Sequence, residues 1–149
     1  MTTLHQPWTP EHEEQVRSYV DRYLAGNPEE ISRLEAVARF REVAPELSTV
    51  AFEDAAASAL QRLDGFERSD FLRWLEAGAH ELGSRIPAAE RPDPDGDPTP
   101  QATAAVVARL EREQPRVLDA VLGRADLPAS ARVAFGGIAA YGARRLLDH

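Results

Sequence analysis

The chain contains no cysteine and no lysine, and these two absences exclude several kinds of chemistry. Without cysteine there is no disulfide, no thiolate nucleophile and no cysteine-ligated zinc or iron–sulfur cluster. Without lysine there is no Schiff base with a carbonyl substrate or pyridoxal phosphate, and no Walker A lysine. All 17 basic residues are arginines, and this preference is typical of a genome rich in G and C.

Large apolar side chains are also few. The apolar fraction is 43%, but 25 of these residues are alanine, which favours helices and adds little buried surface. The composition therefore predicts closely packed helices around a modest core. The length of 149 residues suits one domain of ordinary size, or one domain with a tethered helical element.

Signals for export and for membrane insertion are lacking as well. The first ten residues carry neither a basic stretch nor an apolar run, and a signal peptide needs both. The longest uncharged run near the C-terminus, residues 133–143, is shorter than the roughly 20 residues that span a bilayer. We therefore expect a cytoplasmic protein with no membrane partner.

Helical periodicity and capping signals dominate the sequence. Thr9 and Thr99 each precede a proline, so each places a capping side chain before a residue suited to the first helical position. Asp64 and Glu67 are spaced as a capping box. No stretch alternates apolar and polar residues as a half-buried strand does. The sequence predicts an all-α fold, a compact helical bundle of about six to seven helices.

The second predicted helix begins at Asn27, which precedes a proline and stands three residues before Glu30. Pro45 should end this helix, because the residue before a proline avoids the α conformation. The apolar residues between these limits recur at helical spacing and should face the core: Ile31, Leu34, Val37 and Phe40.

A stretch rich in proline and aspartate, residues 84–100, divides the predicted helices into two groups. Five of the chain's 11 prolines lie in it, which predicts a stiff and extended linker. The linker would separate an acidic helical core, residues 1–83, from a C-terminal helical segment, residues 101–149. The whole chain carries a net charge of −8, whereas the acidic and basic residues of this last segment leave it slightly basic.

The last predicted helix contains two adjacent glycines, which are costly inside a helix unless close packing compensates. One of the two preceding helices of the same chain, or a second copy of the protein, could provide that packing. The second alternative makes the protein a homodimer. Trp74 then either covers the edge of the core or serves as an apolar anchor of the interface. The small residues and the tyrosine of this candidate interface are Gly136, Gly137, Ala140 and Tyr141.

Catalytic and metal-binding motifs are lacking in the sequence, so we predict a non-catalytic protein without cofactor or metal. The four histidines are scattered, and no His-Glu-x-x-His or Glu-x-x-His pair is present. No serine lies in a nucleophile motif, and no glycine-rich phosphate loop follows a strand. The leading hypothesis is a helical protein–protein interaction or regulatory protein that associates with itself.

Two alternatives stay open. The first is nucleic-acid binding through the arginines of the C-terminal segment, although the acidic chain as a whole disfavours it. The second is a small-ligand or metal site between helices, motivated by Glu76, His80 and Glu81 on one predicted helix. The arginines of the first alternative are Arg124, Arg132, Arg144 and Arg145.

Two segments carry a resemblance to known sequences. The first contains Pro45-Glu46-Leu47, an alanine-rich helix ending in Leu60-Gln61-Arg62-Leu63, and the run from Asp64 to Leu75. The second contains Gly136-Gly137-Ile138-Ala139-Ala140-Tyr141 and Arg144-Arg145-Leu146-Leu147. Over about a third of its length the chain resembles uncharacterised Ala/Arg-rich helical proteins of bacteria, though it is more acidic. The resemblance implies a bacterial, helical, non-catalytic protein and no particular activity.

Overall fold

Residues 8–27, 30–84, 98–124 and 127–147 are described by the computed structural model, and in these residues there are seven α-helices and no strand. The predicted all-α fold is thereby confirmed. A 3-10 turn, Ala44–Glu46, follows the second helix. No helix in these ranges is long and apolar enough to cross a membrane. The helices are α1 (Pro10–Ala25), α2 (Arg33–Val43), α3 (Thr49–Leu60), α4 (Gly65–Glu81), α5 (Pro100–Glu113), α6 (Pro115–Leu122) and α7 (Ala129–Leu147).

Local capping chemistry sets several helix boundaries where the sequence predicts them. The side chains of Thr9 and Thr99 each accept a hydrogen bond from the backbone N–H three residues later. Asp64 and Glu67 form the reciprocal capping box at the start of α4. These bonds satisfy N–H groups that the first helical turn leaves unpaired. The end of α4 is followed by Gly83, whose φ of 78° lies in the left-handed region that favours glycine.

The start of α2 differs from the prediction. The helix begins at Arg33, and its N-cap is Ser32 rather than Asn27. Leu34 then lies on the solvent side with 69% of its surface exposed, whereas Ile31 is buried ahead of the helix. Two capping sequences compete in this stretch, and the later one leaves Ile31 free to pack into the core before the helix begins.

The last helix, α7, lies at the centre of the bundle. Every residue from Ser130 to Ala143 is buried except Arg132 and Tyr141. Helices α1, α2 and α3 pack around α7, and α4 also contacts it. A helix that is covered on nearly all sides needs small and apolar residues around its whole circumference, and this explains the glycines and alanines of α7.

Two tyrosines of α1 fasten that helix to α7. The Tyr19 hydroxyl donates a hydrogen bond to the Gly136 carbonyl, and the Tyr23 hydroxyl donates to the Val133 carbonyl, each at 2.7 Å. Burial raises the pKa of both tyrosines above its ordinary value, so both hydroxyls keep the proton that they donate. These bonds satisfy the polar tips of two large side chains inside the core.

The helices on both sides of the predicted linker share one core. Helix α5 packs on α3, α6 contacts α4 and α5, and the buried apolar residues form one continuous cluster. The described helices of residues 1–83 and of residues 101–149 therefore form a single core, because α7 supplies the centre that the first helices surround. Residues 85–97 of the predicted linker lie outside the described residues.

Candidate functional site

The three small residues predicted at an interface between copies lie inside the core of this chain. Gly136, Gly137 and Ala140 are buried. A Cβ atom on Gly137 would stand 2.4 Å from the Tyr23 hydroxyl and 2.5 Å from the Cβ of Ala59. The close helix approach that the sequence predicts does occur, but at Gly137 its partners are α1 and α3 of the same chain, and not α5, α6 or a second copy. This corrects the interface assignment at the three positions, since a second copy cannot reach them.

The two aromatic residues of that predicted interface also have partners within the chain. Tyr141 is half-buried, and its hydroxyl accepts a hydrogen bond from Arg62 Nε at 2.9 Å. Trp74 is half-buried and stacks on Phe71, with 6.5 Å between the ring centroids. A contact of Tyr141 or Trp74 with a second copy stays a prediction.

The four arginines of the nucleic-acid alternative do not form one basic surface. Arg124 forms an ion pair with a carboxylate of α4, and Arg145 forms one with a carboxylate of α3. Arg132 and Arg144 stand twelve residues apart on α7, which separates them by about 18 Å along the helix axis. This arrangement lacks the shared cationic face that tracks a phosphate backbone.

The residues of the small-ligand alternative are exposed near the end of α4. Glu76, His80 and Glu81 do not line any of the three cavities of about 310, 210 and 320 Å³ that described residues form. Glu81 instead forms the ion pair with Arg124. In the described ranges, no group of three or more histidine, aspartate or glutamate side chains is arranged to hold a metal ion. A small-ligand site at these three residues stays a prediction.

A groove that the sequence does not reveal lies where α2, the 3-10 turn, α5 and α6 meet. It consists of two neighbouring cavities of about 310 and 210 Å³, which share Ala44, Pro45 and Glu111 as lining residues. The two cavities together are the Pro45 groove. The first cavity is also lined by Phe40, Arg41, Pro115, Leu118, Asp119 and Leu122. The second is also lined by Leu47, Thr49, Phe52, Ala108 and Arg112.

Two prolines explain why a groove forms at this place. Pro45 lies in the 3-10 turn that ends α2, and Pro115 is the first residue of α6, directly after the break that ends α5. At that break Gln114 has φ −138° and ψ 57°, which is not a helical conformation. Because neither α2 nor α5 can continue past its proline, the backbone turns away at two neighbouring points, and the side chains there leave the groove open.

Glu111 gives the groove an unusual charge. Its carboxylate is half-buried and makes no hydrogen bond or ion pair with any described residue. Burial raises the pKa of Glu111, and the negative charge of Asp119 raises it further. Asp119 is itself paired with Arg41 at 2.7 Å across the rim of the first cavity. The groove therefore holds a partly desolvated carboxylate whose charge has no cation in contact with it.

The raised pKa makes Glu111 a residue that weakens the folded state at neutral pH. An acid whose folded pKa lies above its unfolded pKa contributes stability below the unfolded value, and this contribution is lost as the pH rises through the folded value. Glu111→Gln cannot ionise, so we expect it to have a higher free energy of unfolding than the parent protein at pH 7. The gain should vanish below the unfolded pKa of glutamate, about 4.3.

Urea denaturation at neutral pH and near pH 4 measures this difference. Glu113→Gln is the matched control, because Glu113 lies on the same helix but pairs at the surface with Arg109. We expect the control to show no gain at either pH. A gain for Glu111→Gln that is the same at both pH values would show that the charge of Glu111 is not its cause. The charged groups that line the groove beside it, Arg41, Arg112 and Asp119, are unchanged in both variants.

A third cavity, of about 320 Å³, lies between α1 and the end of α7. Half of its lining residues are charged, and Val20 is the one buried residue among those that line it. The first cavity of the Pro45 groove, by contrast, has mainly apolar walls, and three of the side chains that line it, Phe40, Leu118 and Leu122, are buried. The third cavity is therefore the weaker candidate for a binding site. Its lining residues are Arg17, Val20, Asp21, Leu24, Arg144 and Leu147.

Charged side chains between α1 and α2 form a further cluster. His12 Nε2 contacts the Glu42 carboxylate, which also accepts a hydrogen bond from Arg39. Arg22 forms two hydrogen bonds with Glu35, at 2.5 and 2.9 Å, and this pairing lowers the pKa of the Glu35 carboxyl. None of the described cavities is lined by these residues. The contacts fasten α1 to α2, and we assign them a structural role.

Comparisons with protein-family models, with curated proteins and with solved structures gave no match to this chain. The resemblance to Ala/Arg-rich bacterial proteins therefore stays a prediction, and the function is argued from geometry. The Pro45 groove combines apolar walls, a few polar groups and an acid with a shifted pKa. That combination is typical of binding sites, so this groove is the candidate functional site.

Proposed function

We propose that this protein is a non-catalytic binding module that holds a short segment of a basic partner protein in the Pro45 groove. The observation that carries the proposal is a mainly apolar cavity beside a more mixed one, joined at a carboxylate that no described cation contacts. Two cavities in succession suit a peptide, because alternate side chains of one segment can enter them in turn.

The walls of the groove support a role in binding. Phe40, Leu118 and Leu122 are buried at the base of the first cavity, and Phe52 is buried at the base of the second. These side chains belong to the common core, so the base of the groove is held by the packing of the whole bundle. A rigid apolar base loses little conformational entropy when a ligand binds, which favours recognition.

The net charge of the protein supports a basic partner over a second copy. A second copy carries the same charge of −8, so two copies repel each other, whereas a basic protein is attracted. The apolar helix that motivated self-association is occupied within the chain, since Gly137 packs against Tyr23 and Ala59. The proposal therefore retains the predicted interaction function but replaces the predicted homodimer with a partner of opposite charge.

A substitution that introduces a tryptophan at the rim of the second cavity tests this proposal. Thr49 is exposed and lines that cavity, so Thr49→Trp should fill the cavity without disturbing the core. We expect peptides selected from a random display library on the full chain to bind this variant at least about tenfold more weakly. Isothermal titration calorimetry with each selected peptide measures the change.

The control is the same substitution at the next residue. Val50 is 69% exposed and lies outside the lining of the groove, so Val50→Trp should change the affinity by less than about twofold. If Thr49→Trp binds the peptides as tightly as Val50→Trp does, the groove is not the site at which they bind. Failure to select any peptide would also contradict the proposal.

A further inference from the structure

Glu111 has a position from which it can contact the ligand in either part of the Pro45 groove. It lines both cavities, together with Ala44 and Pro45. Of the three shared residues it is the charged one, and the other two offer only apolar surface and backbone. A ligand that occupies both cavities must therefore pass next to this carboxylate.

The other charged residues around the groove leave the Glu111 carboxylate without a cation in contact with it. Arg41 and Asp119 are paired with each other at 2.7 Å at the first cavity. At the second cavity, the guanidinium of Arg112 lies 3.7 Å from the carboxylate of Glu113, which is outside the lining of the groove. The charges of the lining residues sum to zero, but no described cation contacts the Glu111 carboxylate, so this charge has no direct partner in the groove.

A ligand cation would remove the cost of this arrangement. A half-buried carboxylate has lost part of its hydration, and its charged form is disfavoured until a donor or a cation contacts it. A guanidinium or ammonium group supplies both a charge and N–H donors, whereas a neutral or acidic group does not supply the charge. The apolar residues on either side of Glu111 then require apolar side chains on either side of the cation.

We infer, on the basis of the proposed function, that the bound segment carries an arginine or lysine between two apolar side chains. The cation contacts the Glu111 carboxylate, and one apolar side chain enters each cavity. The charge of the whole protein acts in the same direction, because it attracts basic segments over a longer range. Glu111 is then the residue that determines specificity, and the apolar walls supply the remaining contact area.

Synthetic heptapeptide sublibraries test the inference. Each sublibrary has one fixed central residue, namely arginine, lysine, glutamine, norleucine or glutamate, and a mixture of alanine, valine, leucine and phenylalanine elsewhere. We expect the arginine and lysine sublibraries to bind the full chain about tenfold more tightly than the glutamine and norleucine sublibraries. The glutamate sublibrary should bind most weakly. Fluorescence polarisation of labelled peptides measures these affinities.

Two variants of the protein assign the preference to one carboxylate. In Glu111→Gln the preference for a central cation should fall to less than about threefold, whereas in Glu53→Gln, which removes an exposed carboxylate outside the lining of the groove, it should keep its full size. A preference that survives Glu111→Gln would overturn the inference, and so would equal binding of all the sublibraries. If the peptides bind equally well whatever the charge of the central residue, and Thr49→Trp still weakens their binding, the proposed function stands and only the cation inference fails. If display selection yields peptides but none of these sublibraries binds, the inference also fails.

Discussion

Gly137→Leu should lower the free energy of unfolding by about 3 kcal/mol or more, because it forces a side chain into a space that is already filled. Even a single Cβ atom at Gly137 would stand 2.5 Å from the Cβ of Ala59 on α3. That atom is attached directly to the helix backbone and cannot rotate away, so α3 has to move off α7. The Tyr23 hydroxyl, 2.4 Å from the same position, would also have to leave its bond to the Val133 carbonyl.

Urea denaturation followed by circular dichroism measures this effect, and alanine provides a milder variant if the leucine variant does not fold. Gly137→Ala should still lower the free energy of unfolding by about 1–2 kcal/mol, since the loss from overpacking exceeds the gain in helix propensity. Gly123→Ala is the matched control, because a Cβ atom there meets its nearest neighbour at an ordinary 3.5 Å. Equal stability of the two alanine variants would contradict the close packing of α3 on α7.

Phe135→Ala should cost about 4 kcal/mol, which is a large part of the stability of a small domain. Phe135 is fully buried on α7. Its ring lies in edge-to-face contact with Phe40 of α2, at 5.1 Å between centroids, and with Phe71 of α4, at 5.5 Å. Removing the ring leaves a cavity at the point where three helices meet, and the surrounding helices cannot all close it.

The control for this prediction is a phenylalanine on the surface. Phe66 is 70% exposed in the first turn of α4, so Phe66→Ala should change the free energy of unfolding by no more than about 0.5 kcal/mol. Both variants are compared with the parent protein by urea denaturation at neutral pH. Similar losses at the two positions would be inconsistent with a central position for α7 in the bundle.

The helix limits that depend on nearby residues are predictable from the sequence. Thr9, Asp64 and Thr99 cap helices in the structure as their neighbours predict, because a cap is decided within one helical turn. The start of α2 is not predictable in this way, because a second capping residue, Ser32, follows Asn27 within five residues. Burial of the side chain between them decides which of the two begins the helix, and burial is a tertiary property.

The glycines of α7 show a similar division between local and tertiary information. Small residues at helical spacing predict that another helix approaches Gly136 and Gly137 closely, and the structure confirms the approach. The sequence does not identify the neighbour, because the same pattern suits a helix of the same chain and a helix of a second copy. The neighbours are α1 and α3, whose positions depend on how the whole bundle packs.

The Pro45 groove is harder to predict from the sequence than the helix limits or the packing of α7. Pro45 and Pro115 are each recognisable as helix breaks, but they stand 70 positions apart in the chain and meet only through the packing of the bundle. Glu111 has the appearance of an ordinary surface acid in a charged stretch of α5. Its half-buried position and its missing partner become visible only once α2 and α6 are in place. Two helix breaks at prolines are the signal that could have directed attention to this part of the chain.

Chemical-shift mapping with a display-selected peptide tests most directly whether the Pro45 groove is the binding site. We expect the backbone amide resonances of residues around the groove, including Ala44, Ala108 and Glu111, to shift most during a titration of the full chain. Resonances around the third cavity, at Val20 and Leu24, should remain within the scatter of the unaffected residues. Shifts concentrated at the third cavity, with none along the groove, would contradict the assignment of this protein's binding function to the Pro45 groove.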